Sequence, residues 1–270
     1  MRSHRGGVTV RGVTAWASGV IQPQFRTIDG LAVRFAESER RDGEALLLSP
    51  WPESLFAFEP TWLRLAEHTH LVAIDLPGFG HSQRDDALLS LRAMGEFVVR
   101  VADTFGLERP HVVAPNVGTG AALYAASLHP GRLRSLVVGG GPPTGALQPD
   151  LEVVLGGFER DALPEHVRED YLSCYQGDRF VESIRCLRSH LTELPVLAGL
   201  LPSIQTPVQI IAGRRDRSVP AVSAEFLHAR LPTSKLDIID TGPFTWEDAP
   251  DKYAALVTSW WGGGSTTAVP

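Results

Sequence analysis

A chain of 270 residues, 43% hydrophobic and 21% charged, has the makeup of one globular domain able to bury a large core, with room for a modest insertion. A formal net charge of −6 without a basic stripe disfavours nucleic acid and anionic membrane surfaces, and leaves a neutral or cationic small molecule as the easier partner. Apolar runs fall far short of the roughly 20 residues of a membrane span, and Arg11 interrupts the first apolar stretch before it reaches signal-peptide length. A soluble cytoplasmic protein, monomer or homodimer, is expected, with no cofactor. Cys174 and Cys186, the two cysteines, cannot form a disulfide framework for a domain this size and read as free thiols.

Residues 1–24 lack periodicity and read as a partly disordered extension. Strands follow at 25–28 and 31–36 around Asp29-Gly30, a hairpin signal, so the sheet begins antiparallel. Further strands are predicted at 45–49, 71–75, 111–114, 136–138, 208–212 and 236–239, with Gly, Pro or Asp at or near an end of each. Helices with apolar residues at helical spacing are predicted at 91–105, 118–128, 221–231 and 246–261. The alternation gives an α/β class: a mostly parallel eight-stranded sheet with helices on both faces. Between the sixth and seventh strands, residues 142–202 break the pattern with four helical stretches, 151–158, 164–175, 180–190 and 194–201. They read as a short helical cap inserted in a core made of residues 25–141 and 203–262, and residues 263–270 read as a disordered tail.

The most informative stretch is HVVAPNVGTGAALYAASLHP at 111–130, where a strand passes through a small residue into x-Asn-x-Gly and straight into a helix. Ala114-Pro115-Asn116-Val117-Gly118 resembles the nucleophile elbow of the α/β-hydrolase superfamily, whose central residue occupies a strained turn and points into the pocket. Asn tolerates such a backbone better than most residues. Four more segments fall in the family's order: LLLSPWPES at 46–54 (oxyanion loop), AIDLPGFGHS at 73–82, IIAGRRDRSVP at 210–220 (acid loop) and DTGPFTWEDAP at 240–250 (histidine loop). The likeness runs from about residue 25 to 261 and has the flavour of epoxide hydrolases and haloalkane dehalogenases, implying the α/β-hydrolase fold.

Carried over position by position, the resemblance puts Asn116 where the nucleophile belongs, Pro243 where the general base belongs and Asp216 where the acid belongs. A carboxamide is neutral and weakly nucleophilic, and proline has no ionisable group, so covalent hydrolysis of the usual kind is not expected. The resemblance also implies an oxyanion hole made by the backbone N–H groups of Trp51 and Val117, neither of them proline, and a cis peptide at Trp51-Pro52. Glu53 caps or bridges that loop, or serves as a displaced carboxylate. Asp216 is either a buried structural acid paired with Arg214 or Arg215, or a ligand contact. His81 reads as a structural hydrogen bonder, and His68, His70, His111, His129, His166 and His228 as capping or solvated residues. His190 is the histidine expected to face the cavity, and no pair has metal-ligand spacing. Phe158, Tyr171, Tyr175, Phe180, Leu187, Leu194 and Leu197 give the cap its apolar surface, and Phe244 and Trp246 flank the missing histidine. Asn116, the two N–H groups and Trp246 are expected to line one cavity under the cap. The function this implies is non-hydrolytic, a lyase, isomerase or cyclase acting on a hydrophobic small molecule of the natural-product kind. Two alternatives stay open: a binding protein that holds a ligand without converting it, and residual hydrolysis of an ester or epoxide with Asp216 or Glu53 as base.

Overall fold

The structure, a computed structural model, describes residues 19–140 and 163–263, apart from the side chains of residues 189–191. Most of the predicted extension and tail, the predicted helix at 151–158 with Phe158, and the His190 side chain lie outside the described residues.

Short, continuously apolar runs become strands because both faces of a parallel sheet are covered. The strands are β1 (Gln24–Ile28), β2 (Leu31–Glu37), β3 (Glu44–Leu48), β4 (His70–Ile74), β5 (His111–Pro115), β6 (Ser135–Gly139), β7 (Val208–Gly213) and β8 (Ser234–Ile239). They form one sheet in the order β1-β2-β4-β3-β5-β6-β7-β8. The β1/β2 and β2/β4 pairs are antiparallel and the rest parallel, as the hairpin signal and the later alternation predict. At the hairpin Asp29 and Gly30 have φ of 52° and 83°, the left-handed pair that a tight two-residue turn demands.

The helices are α1 (Glu59–Ala66), α2 (Leu91–Thr104), α3 (Val117–Leu128), α4 (Glu165–Cys174), α5 (Arg179–Leu200), α6 (Ala221–His228), α7 (Thr245–Asp248) and α8 (Pro250–Trp261). Three differ from the sequence expectation. Helix α1 is absent from it; its Pro60 sits in the first helical turn, where the N–H groups have no partner within the helix and proline is tolerated. The stretches at 180–190 and 194–201 are one helix, α5, which runs through Pro195. The helix expected at 246–261 is divided at Ala249, whose φ of −143° is non-helical, and restarts with Pro250 at its first turn. None of the described helices is long and apolar enough to cross a membrane.

Alternate strand residues feed two cores. Leu46, Leu48, Val112, Ala114 and Val138 pack with α2, α3 and the cap residues Leu187 and Leu197. Ala45, Leu47, Val113, Val137 and Ile211 pack on the other face with α1, α7 and α8, including Trp246 and Trp260. Helices α2 and α3 approach so closely that a Cβ on Gly95 would stand 2.8 Å from the Ala125 nitrogen. That contact and the central strands bring the start of α3 to the C-terminal edge of β5 and β6, where the elbow sits.

Candidate active site

Strand β5 ends at Pro115 and α3 starts at Val117, so Asn116 alone makes the turn, with φ 53° and ψ −118°. Apart from Asp29 it is the one described non-glycine residue with positive φ. Such a conformation costs on the order of 1–3 kcal/mol and persists only where its surroundings enforce it. Here they do. The Asn116 N–H donates to Gly139 O on β6 (2.7 Å), and the Thr119 N–H donates to Asn116 O (3.1 Å). The Thr119 hydroxyl lies within bonding distance of Ala114 O (3.0 Å) and Gly139 O (3.2 Å), joining the helix to both strands. A Cβ on Gly118 would stand 3.2 Å from both Ala114 Cβ and Leu48 Cβ, which is why this position is small.

The side chain of Asn116 turns back on the site. Its Oδ1 accepts the Val117 N–H (2.7 Å) and the Trp51 N–H (3.3 Å). The two groups that the resemblance assigns to an oxyanion hole therefore converge on the protein's own amide oxygen. Its Nδ2 donates to no described residue, and the residue is half-buried, so what Asn116 offers outward is a neutral hydrogen-bond donor. The Trp51–Pro52 bond is cis. The Trp51 indole donates to Ser183 Oγ on α5 (3.0 Å) and stacks on Phe180, joining this loop to the cap.

Asp216 does not pair with a neighbouring arginine: its Oδ1 accepts the Ser218 and Val219 N–H groups (2.7 and 2.9 Å), while Arg215 is engaged with Asp240 (3.3 Å). Burial raises its carboxyl above the usual range, against the pull of those two N–H groups. Pro243 lies in the loop between β8 and α7, and its carbonyl stands 3.7 Å from where a Cβ on Gly140 would be.

A cavity of about 540 Å³ opens between α3, α5 and α6 at the ends of β6 and β7, with Thr119, Leu123, Gly140, Leu197, Ala212 and Val219 in its wall. Trp51, Glu53, Asn116, Val117, Tyr171, Tyr175, Phe244 and Trp246 are not in its wall, so this cavity is not the one expected from the sequence. The reason is packing. Trp246 is 1% exposed and belongs to the core on the opposite face, edge-on to Phe244 and Tyr253, with its indole N–H donating to Glu53 Oε1 (3.3 Å). The Tyr171 hydroxyl donates to Glu247 Oε1 (2.8 Å), and Tyr175 is buried edge-on to Phe180. These aromatics knit the cap to the core. Of the cap residues singled out in the sequence, Leu194 and Leu197 do reach the cavity.

A buried polar cluster went unread in the sequence. Asp170 on α4 receives both Arg34 nitrogens (Oδ1 2.6 Å, Oδ2 3.1 Å) and the Ser54 hydroxyl (2.5 Å), with His81 Nε2 3.4 Å away. Arg34 also meets Asp75 (3.5 Å), which takes the Leu55 and His81 backbone N–H groups. The signal was Arg34 itself, a charge in the middle of the strand LAVRFAE with apolar residues on both sides. Burial pushes the Asp170 carboxyl up, but the bonds from His81, Arg34 and Ser54 and the Arg34 charge outweigh it and hold it at about 2. Its folded value lies below an unfolded value of about 3.9, so its stabilisation is present above that pH and is lost as pH falls through about 2. Asp170→Asn is expected to cost about 2–3 kcal/mol at neutral pH, with the deficit shrinking on acidification in urea melts. A deficit that stays constant with pH would show that shape, not charge, matters there. His81, Asp170 and Cys174 also stand close enough to suggest a metal, but Arg34 already fills the space in front of Asp170, and burial drives the Cys174 thiol far up.

A family model described as "alpha/beta hydrolase fold" matches residues 46–172. The putative carbamate hydrolase RutD of Caulobacter sp. (strain K31) is 28% identical over 264 residues, spanning 89% of this chain and 98% of that one. The pimeloyl-[acyl-carrier protein] methyl ester esterase of Methylococcus capsulatus is 30% identical over 232 residues, 74% of this chain and 86% of that one. Among solved structures, the haloalkane dehalogenase DbeA of Bradyrhizobium elkani USDA94 superposes with a TM-score of 0.76 at 18% identity, covering 92% of this chain and 100% of that one.

Proposed function

The chain belongs to the alpha/beta hydrolase fold family, and we propose that within it this protein is a non-hydrolytic enzyme, a lyase, isomerase or cyclase acting on a hydrophobic small molecule. The observation that carries this reading is the Asn116 amide, whose oxygen occupies the Trp51 and Val117 N–H groups. An amide nitrogen has its lone pair delocalised into the carbonyl, so the group cannot attack a carbonyl or alkyl carbon. With the donors engaged internally, a tetrahedral oxyanion has no vacancy to enter. Proline at 243 brings no proton carrier to the same end of the sheet. What remains is a fixed, neutral N–H donor beside a protein cavity, suited to holding a substrate carbonyl or hydroxyl while a flexible skeleton is kept in a reactive pose.

Relatives named as carbamate hydrolase and methyl ester esterase make hydrolysis the activity to test first. p-Nitrophenyl butyrate, styrene oxide, 1-bromobutane and a simple carbamate are expected to turn over no faster than in buffer. Asn116→Ala is expected to slow the native reaction by what one hydrogen bond is worth, up to about 100-fold. Loss on the order of a million-fold would instead mark a covalent nucleophile. One observation favours a second reading, hydrolysis with Asp216 as base: its carboxyl is raised by burial and its Oδ2 has no hydrogen bond among the described residues. Ester turnover that disappears in Asp216→Asn would establish that reading in place of the first.

A further inference from the structure

The cavity between α3, α5 and α6 has a consistent chemistry. Its described wall contains no charged side chain, and its hydroxyls are those of Thr119 and Ser223. Thr119 is committed to the carbonyls of Ala114 and Gly139. Ser223 is half-buried on α6; its backbone N–H donates to Pro220 O (2.8 Å), and its hydroxyl makes no hydrogen bond among the described residues. The floor is core: Leu123 and Ile210 are fully buried and Leu201 is 1% exposed. The rim carries Val222 and Phe226, one turn apart on α6 and 64% and 40% exposed, so apolar surface continues outward to solvent.

We propose that this cavity is a binding site for an uncharged, largely apolar molecule, one hydroxyl or carbonyl of which meets Ser223 while the hydrocarbon fills the space down to Leu123 and Ile210. The volume falls within the range that holds drug-sized ligands. A charged head group would lose water here and find no countercharge among the described wall residues. A second protein copy is the poorer occupant, because the surface is concave and reaches into the core, and two exposed side chains do not make the area a stable interface needs. The inference rests on the proposed function only in taking this ligand to be the molecule acted on.

Nile red, uncharged and apolar, serves as the probe on the full chain, with 1-dodecanol, dodecanoate and dodecylammonium as competitors. Dodecanol is expected to displace the dye at least about tenfold better than either ion. Ala198→Trp, which fills the wall from α5, is expected to weaken dodecanol by a similar factor, whereas Val196→Trp, on the same helix but outside the lining and 60% exposed, leaves it unchanged. Ser223→Asp is expected to reverse the preference, losing dodecanol and gaining dodecylammonium, a change of sign that misfolding cannot produce. Equal displacement by dodecanoate, indifference to both cavity variants, or dye binding that tracks self-association and vanishes in Phe226→Ser would each overturn the proposal. Saturable binding without turnover of any ligand leaves this site standing and removes the enzyme reading. Turnover unaffected by Ala198→Trp does the reverse.

Discussion

Arg34→Met is expected to lower the stability of the protein by about 3–5 kcal/mol at pH 7.5, read from denaturant midpoints. The substitution keeps the volume and removes one guanidinium that serves two buried carboxylates, Asp170 at 2.6 Å and Asp75 at 3.5 Å. Asp75 is fully buried and its carboxyl is already raised by desolvation, with the Arg34 charge the main force pulling it down. Without that charge its folded value climbs further above the unfolded one. A raised value makes stability fall as pH rises, so the variant is expected to recover part of its loss between pH 7.5 and pH 5. Arg34→Met combined with Asp170→Asn is expected to be less damaging than the sum of the two, because the second change removes a charge the first has stranded. A loss below about 1 kcal/mol, the range of an ordinary surface pair, would mean that the bridge is solvated and does not hold the cap.

Asn116→Asp together with Pro243→His is expected to create hydrolysis of 1-bromobutane, styrene oxide or p-nitrophenyl butyrate about 10²–10⁴-fold above either single variant. The existing geometry supports the first half of this. A carboxylate in the place of the amide would keep one oxygen on the Trp51 and Val117 N–H groups, where Oδ1 is now, and present the other where Nδ2 is now. That second oxygen is ionised and free to attack carbon, so Asn116→Asp alone is expected to gain the mass of one butyl group from 1-bromobutane and then stop. The histidine is needed to activate the water that releases it. A well-folded double variant that neither gains mass nor turns over would show that the loop carrying Pro243 and the acid loop at Asp216 no longer face the elbow.

Most of the frame was legible because the physics that writes it is local. Runs such as LVAI and VQIIA have to be buried on two faces, Asp29-Gly30 has to turn, and Ala114-Pro115-Asn116-Val117-Gly118 leaves few ways for a strand to become a helix. The site was legible only as positions. Which atom of Asn116 faces the two N–H donors is a rotamer decided by the completed loop at Trp51, 65 residues away. The Arg34–Asp170 bridge joins residues 136 apart, and nothing near either one announces the other. Trp246 sits next to the position of the missing histidine, yet the break at Ala249 turns it under the sheet toward Tyr253, and a periodic reading of one helix over 246–261 hides that break.

Pro195 bears on what the cavity can accept. It has no N–H to give to the carbonyl of residue 191, so α5 lacks one rung of its ladder just before the stretch that walls the cavity through Leu194, Leu197 and Ala198. The other end of the cap is fastened by Asp170 and Tyr171 to Arg34 and Glu247. The cap is thus stiff where it meets the elbow and compliant where it meets the ligand space. On the proposed reading of the cavity, a small bend at the proline would admit ligands of different girth without loosening either buried bond, while the described wall offers no charged side chain. That reading makes the site tolerant of breadth and strict about charge.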